Sequence, residues 1–241
     1  MLQYGLIGYP LKNSFSENYF NSKFRKLGID AQYANYPLAS IDLFPKLLQN
    51  HPKLKGLNVT IPYKEKIIPY LNEVEDTAKE IGAVNTIKIL ENKLIGYNTD
   101  IFGFEKSILP LLKPWHQQAL VLGSGGAAKA IMFVLKKFGI NYTIVSRNKQ
   151  YGILYEQIDK ATIRTHQLII NCTPVGMYPN SNNYPDIPYQ FITPLHLALD
   201  LIYLPEQTIF LQKCKQQEAV IQNGIIMLEQ QAEKTWEIWN L

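Results

Sequence analysis

Lys64 stands where simple electrostatics would not place it. In the stretch "GLNVTIPYKEK", Gly56 to Lys66, Val59 and Ile61 alternate with Asn58 and Thr60, the period of a strand that projects polar groups from one face near its end. Pro62 cannot donate to a sheet and holds its predecessor extended, so the pattern predicts that Tyr63 and Lys64 open a helix through Ile67, Ile68 and Leu71. A cation in that first turn opposes the helix dipole. Either the lysine stem lies along the surface with its amine in water, or the amine is kept there to move a proton while Asn58 and Thr60 read hydroxyl groups. Asparagine and threonine also cap helices and turns, so those two residues alone do not decide between the readings.

A second stretch, "QALVLGSGGAAKAIMFVL", sets a glycine-rich turn between an apolar strand and a helix. Gly123, Gly125 and Ala128 satisfy the spacing G-x-G-x-x-G/A, which provides a tight turn, close backbone approach to a pyrophosphate and tight helix packing. The amides of Ser124, Gly126 and Ala127 would then face the phosphates. The following strand ends at "IVSRNKQ" with Ser146, Arg147 and Lys149 and no carboxylate. An acid there would bind the ribose hydroxyl of NAD, whereas arginine accommodates a 2′-phosphate. NADP(H) is the expected cofactor.

The elements that must hold these residues follow from the hydropathy pattern. Short apolar runs, "YGLIG", "AQYANY", "LNVTI", "QALVLG", "YTIVS", "QLIIN" and "LALDLI", alternate with helical patterns and predict a parallel α/β architecture. Asn92-Lys93 marks a turn between two runs that read as an antiparallel pair. A helix is expected from about Ile101 to Leu112, and a domain boundary beside it, because the strong strand Gln118 to Leu122 opens a second α/β unit. The expected division is residues 1–101 together with 224–241, and residues 102–223. Tyr178 to Tyr189 is the only long turn-rich loop.

Composition narrows the function. The 241 residues are 46% hydrophobic and 18% charged, which suits a folded chain, and a net charge of +4 favours small anionic ligands over nucleic acid. Cys172 and Cys214 lack metal spacing and read as free thiols, while His51, His116, His166 and His196 are isolated from one another, so no metal is expected. The amino terminus lacks a leader pattern and no apolar run approaches about 18 residues, so a cytoplasmic protein without membrane contact is expected.

Taken together, "GYPLKNSFS", "LNVTIPYK", "GAVNT", "GYNTD", "GSGGAAKA", "NCTPVGM", "DLIYLPEQT" and "NGIIMLEQQA" occur in the order found in the shikimate dehydrogenase family, which the chain resembles from near Tyr4 to near Trp239. The resemblance implies an N-terminal α/β substrate-binding domain and a Rossmann-type dinucleotide-binding domain, with a C-terminal helix returning to the first domain and a cleft between the two. It implies NADP(H)-dependent interconversion of 3-dehydroshikimate and shikimate, by a monomer or homodimer. By motif position it assigns Lys64 and Asp100 to catalysis. Ser14 and Ser16 fall at the substrate carboxylate, and Asn58, Thr60, Asn85, Tyr203 and Gln231 at other substrate positions. Gly123, Ser124, Gly125, Gly126, Ala127, Ser146, Arg147, Thr173, Gly224 and Met227 fall at the cofactor.

Three departures from the family pattern stand out. Glu17 and Phe20 replace a proline and a histidine after the paired serines, with only Asn21 agreeing. Ser146 replaces the asparagine that often precedes the cofactor arginine, and the stretch from Ser146 to Asn171 is short. Ketone reduction on such a ring needs a hydride, a proton and tight positioning; Lys64 would move the proton and Asp100 would orient the same hydroxyl and the amine. Caps remain open as structural roles for Ser14, Ser16 and Asp100, and a turn role for Asn85. A quinate/shikimate dehydrogenase using NAD, a silent shikimate-binding paralogue, and a Rossmann enzyme for a folate or other cyclic substrate are the alternatives. The missing acid near Arg147, the retained Lys64 and Asp100, and the serine pair with "NVTIPYK" argue against them in turn.

Overall fold

The computed structural model describes residues 1–11, 14–91 and 93–240. The chain divides into two compact units, Met1–Thr99 with Ala232–Leu241, and Asp100–Gln231.

The first unit contains β1 (Leu2–Gly8), α1 (Phe15–Leu27), β2 (Ala31–Pro37), α2 (Phe44–Asn50), β3 (Leu54–Val59), β4 (Glu73–Val74), α3 (Asp76–Ile81), β5 (Thr86–Leu90) and β6 (Lys93–Tyr97). Its sheet runs β2-β1-β3-β5-β6-β4. β1 is parallel to both neighbours, and its last five residues are buried, as a strand covered on both faces requires. β5 and β6 form the expected antiparallel pair, Thr86 opposite Tyr97 and Leu90 opposite Lys93. Of the expected Asn92-Lys93 turn, Lys93 opens β6 and Asn92 lies outside the described residues. Ser14 caps α1 by accepting from the Glu17 amide, and Gly28 closes it in the left-handed conformation.

The second unit contains α4 (Asp100–Ile108), β7 (Gln118–Leu122), α5 (Gly126–Lys137), β8 (Asn141–Val145), α6 (Lys160–Thr165), β9 (Leu168–Asn171), β10 (Leu197–Asp200), α7 (Ile209–Gln216) and β11 (Val220–Gln222). α8 (Ile225–Asn240) contributes its residues up to Gln231 here and the remainder to the first unit. The five-stranded sheet, β11-β10-β9-β7-β8, is parallel throughout. It matches the Rossmann order 3-2-1-4-5-6 with the third strand missing among the described residues. That strand's place beside β8 is marked by one bridge, Val145 to Ile153. The short crossover before β9 holds only the 3-10 turn Tyr155–Gln157 and the six-residue α6.

Two expected helices are corrected. No α-helix starts at Tyr63: turns lead from Ile61 into the 3-10 helix Ile68–Tyr70. Pro69 lacks an amide proton and disfavours helical geometry at Ile68, so one α-turn cannot propagate. The lysine therefore lies in a turn, where no helix dipole opposes it. β3 likewise ends at Val59, leaving Ile61 outside the sheet and exposed while Asn58 is buried. The helix expected to reach Leu112 ends at Ile108, two residues before Pro110.

Each unit has its own core. In the first, Tyr4, Phe20, Phe24 and Tyr33 pack with Ala232 and Trp239 of α8. The Tyr4 and Trp239 rings stack at 4.6 Å, and Phe20 stacks on Tyr33 at 4.9 Å. The indole donates to the Ile87 carbonyl at 3.0 Å and lies flat over Gly56, where a Cβ would overlap it. The tail of α8 can dock only because β3 is bare at that position. Gly56→Ala is therefore expected to lower unfolding stability by about 1–3 kcal/mol through overpacking, and to red-shift the emission of Trp239; urea unfolding followed by fluorescence checks both.

Candidate active site

In the first unit the expected substrate residues gather at the carboxyl ends of β1 and β3. The Thr60 amide donates to the Ile7 carbonyl at 2.9 Å, and the Thr60 carbonyl accepts from Tyr63 at 2.9 Å, closing the turn that carries Lys64. The Lys64 carbonyl accepts from Val84 at 2.7 Å. This clamps the lysine backbone beside the segment that enters Asn85, with the Lys64 side chain half-buried. Tyr63 anchors the turn from below, its ring buried and its hydroxyl bonded to the Leu38 carbonyl.

Asn58 is the hub of a buried polar network. Its carbonyl accepts from the Tyr33 hydroxyl at 2.9 Å. Its amide reaches the Asn85 carbonyl (3.3 Å), Thr86 (3.2 Å) and Thr235 of α8 (3.3 Å). The Asn85 side-chain oxygen in turn accepts from the Thr99 amide at 2.7 Å, fixing the residue that precedes Asp100 in the chain. Asn58 thus faces the protein interior rather than projecting from the strand as a surface group.

The serine pair has two different surroundings. Ser16 is buried and bonded to the Tyr33 phenol, whose pKa is pushed well above its ordinary range by burial, with the Ser16 bond opposing and the Glu17 charge adding. Ser14 caps α1 and donates to Asn35 at 2.7 Å. Asn21 grips the β2 backbone, bonding both the amide and the carbonyl of Tyr33.

In the second unit the glycine-rich turn lies at the carboxyl end of β7, the edge where β8 and β9 diverge and where open α/β sheets bind ligands. Gly123 has φ +109°, and a Cβ there would press on the Thr173 methyl at 3.0 Å. Its amide donates to the Val145 carbonyl at 2.8 Å, placing Ser146 and exposed Arg147 beside the same turn. Gly125 caps α5 with no side-chain bond, and a Cβ there would enter open space. A bare, uncapped amino end of a twelve-residue helix fits a pyrophosphate, and these residues with Ser124, Gly126, Ala127 and Thr173 would hold the dinucleotide.

The remaining expected residues are placed as follows. Asp100 is the buried first residue of α4. Gln231 is buried in α8 and donates to the Leu228 carbonyl at 3.0 Å. Met227 belongs to the apolar cluster with Phe104, Ala128 and Ile131. Tyr203 is half-buried after β10, and the Gly224 amide donates to Ile202 at 3.1 Å. Among the described residues no group of His, Cys, Asp and Glu could hold a metal ion, and no helix is long and apolar enough to cross a membrane.

Two positioning residues open quoted motifs without being given a role there, Asn171 of "NCTPVGM" and Asp200 of "DLIYLPEQT", at the ends of β9 and β10. Asn171 accepts from the Thr173 amide (3.0 Å) and hydroxyl (2.6 Å), and donates to Asp200 at 3.0 Å. Asp200 also accepts from Ile202 at 3.0 Å and Thr208 at 2.6 Å. Burial raises its pKa from 3.8 to about 6, against the pull of these three donors. The available signal was a polar residue ending each of two otherwise apolar strands.

The family model and the curated relatives point to one family. The model described as "Shikimate dehydrogenase substrate binding domain" matches residues 6–87. The chain is 38% identical over 249 residues to shikimate dehydrogenase (NADP(+)) of Aquifex aeolicus, covering 98% of this chain and 90% of that protein. The crystal structure of the Aquifex aeolicus shikimate dehydrogenase superposes with a TM-score of 0.90 at 36% identity, covering 99% of this chain and 92% of that one. Shikimate 5-dehydrogenase of Thermus thermophilus, solved in complex with NADP(H) and shikimate, gives a TM-score of 0.88 at 29% identity, over 99% and 93% of the two chains.

Asp200 supplies a pH-dependent test. Its carboxyl holds a proton more tightly in the folded chain than in the unfolded one, so ionisation between pH 3.8 and about 6 removes stability from the unaltered protein. The shift corresponds to about 3 kcal/mol. Asp200→Asn should therefore gain stability relative to the unaltered chain as pH rises through that window and hold a constant difference above it. Thermal unfolding of both proteins across the window measures this.

Proposed function

We propose a function from one plain premise: the chain belongs to the shikimate dehydrogenase family. It catalyses the reversible NADP(H)-dependent reduction of 3-dehydroshikimate to shikimate. The observation that carries the reading is the turn after β3. It sets Thr60 and Lys64 at the end of a buried strand and ties Lys64 to the segment of Asn85 through the Val84 amide, at 2.7 Å. A second unit with a bare glycine-rich helix start and Arg147 completes what a nicotinamide enzyme requires.

When bound, the cofactor supplies hydride chemistry. The chain's own residues do the rest. Lys64 gives a proton to the oxygen that gains electron density during reduction and takes it back in the reverse direction. Asp100 accepts from the same hydroxyl and orients the amine. Ser14 and Ser16 hold the ring carboxylate, and Thr60, Asn85, Tyr203 and Gln231 read the ring hydroxyls, with Asn58 contributing by fixing Asn85 and Thr86. Gly123, Ser124, Gly125, Gly126, Ala127 and Thr173 cradle the pyrophosphate. Ser146 and Arg147 take the adenosine end, and Gly224 and Met227 flank the nicotinamide end. Residues 1–101 with 224–241 serve mainly the substrate and residues 102–223 mainly the cofactor, with Tyr203 an exception on the substrate side and Gly224 and Met227 on the cofactor side. The net charge of +4 suits small anionic ligands, and the protein works in the cytoplasm as a monomer or homodimer, without nucleic acid or membrane partners.

The test is shikimate-dependent change in nicotinamide absorbance, with NADP against NAD and shikimate against quinate, in the unaltered chain and Lys64→Ala. Turnover is expected with NADP and shikimate. Loss of the amine should lower kcat by at least about 100-fold while KM changes little. Bound shikimate without turnover in the unaltered chain would favour the silent paralogue.

A further inference from the structure

Glu17, one turn into α1, is acidic at a place proposed to receive a carboxylate, and its contacts reach that place. Ser14 and Glu17 spell the capping-box spacing S-x-x-E. Glu17 Oε2, however, accepts from Asn35 Nδ2 at 2.6 Å, Asn35 Oδ1 accepts from the Ser14 hydroxyl at 2.7 Å, and Ser14 Oγ accepts from the Glu17 amide at 3.1 Å.

The polarity of this relay follows from one fact: an ionised carboxylate only accepts. Asn35 must therefore turn its NH2 toward Glu17, which turns its carbonyl toward Ser14, which commits the single Ser14 proton to Asn35. What Ser14 has left to offer a ligand is a lone pair. That is the wrong partner for a carboxylate and an acceptable one for a hydroxyl, amide or protonated group. The Glu17 charge works in the same direction, since it also acts on the Tyr33 phenol that Ser16 touches.

We propose that Glu17, acting through Asn35 and Ser14, is a specificity-determining residue that restrains binding of the substrate carboxylate at the serine pair. The inference rests on the reading that this chain oxidises shikimate. Glutamine at position 17 removes the charge and, because its amide can face either way, releases the Ser14 proton. A plain capping role would affect charged and uncharged substrates alike.

The experiment compares KM and kcat for shikimate and for its uncharged primary carboxamide, whose N–H can donate to the Ser14 lone pair and whose carbonyl can accept from a freed Ser14 proton, in the unaltered chain and in Glu17→Gln, at low and high salt. With Glu17→Gln, KM for shikimate should fall by roughly threefold to tenfold with kcat little changed, and KM for the carboxamide should stay put. The gain should shrink at high salt, because screening weakens the repulsion that the substitution removes. An unchanged KM for the acid, or equal changes for acid and carboxamide, overturns the proposal. Turnover of neither compound by the unaltered chain overturns the parent reading as well, whereas turnover with an indifferent Glu17→Gln overturns this inference alone.

Discussion

The first unit is organised around one buried side-chain amide, that of Asn58. A primary amide carries two donors and an acceptor with two lone pairs, and an unsatisfied buried group of this kind loses about 1–3 kcal/mol. The chain therefore has to bring partners to it. Tyr33 arrives from β2, Thr86 and the Asn85 carbonyl from the start of β5, and Thr235 from α8. Thr86, Thr99 and Thr235 also bond to one another at 2.9–3.3 Å. Among the described residues no buried side-chain nitrogen or oxygen lacks a partner. The partners that Asn58 bonds are all uncharged, so these bonds fix direction and register without the desolvation penalty of a buried ion pair.

The second unit solves the same problem with a carboxylate. Asp200 collects three donors at the end of β10, and one of them, Asn171, turns its oxygen to the Thr173 backbone and hydroxyl. The loop facing Gly123 is thus held from within the sheet. Gly123 itself is held by the Val145 carbonyl and by lack of space for a side chain at its φ. Thr60 follows β3 two positions after buried Asn58, and Thr173 follows β9 two positions after buried Asn171.

Much of this was legible in the residues. Apolar runs mark the principal strands because parallel strands covered on both faces must be largely apolar, as β9 and β10 are up to their last residues, Asn171 and Asp200. The glycine-rich turn was legible because its spacing is a backbone constraint. The helix that the residues after Pro62 predict at Lys64 does not form, because Pro69 stops a single α-turn from propagating. The alternation through Ile61 failed because the strand had already ended, and the two-residue β4 and three-residue β11 are too short to carry a period. Asn58 was legible as a residue with chemistry but not as a hub, because its partners Tyr33 and Thr235 come from distant parts of the chain. Asp200 and Glu17 act through other side chains, and no local pattern encodes that.

The claim at the centre is that the buried network sets the substrate-reading residues before any ligand arrives. Calorimetric titration of shikimate into Thr235→Val tests it most directly, since valine keeps the shape and deletes one hydroxyl from the network. The account predicts that shikimate affinity falls about tenfold, or about 1.4 kcal/mol, while NADP affinity is unchanged. Shikimate affinity equal to that of the unaltered chain would contradict it.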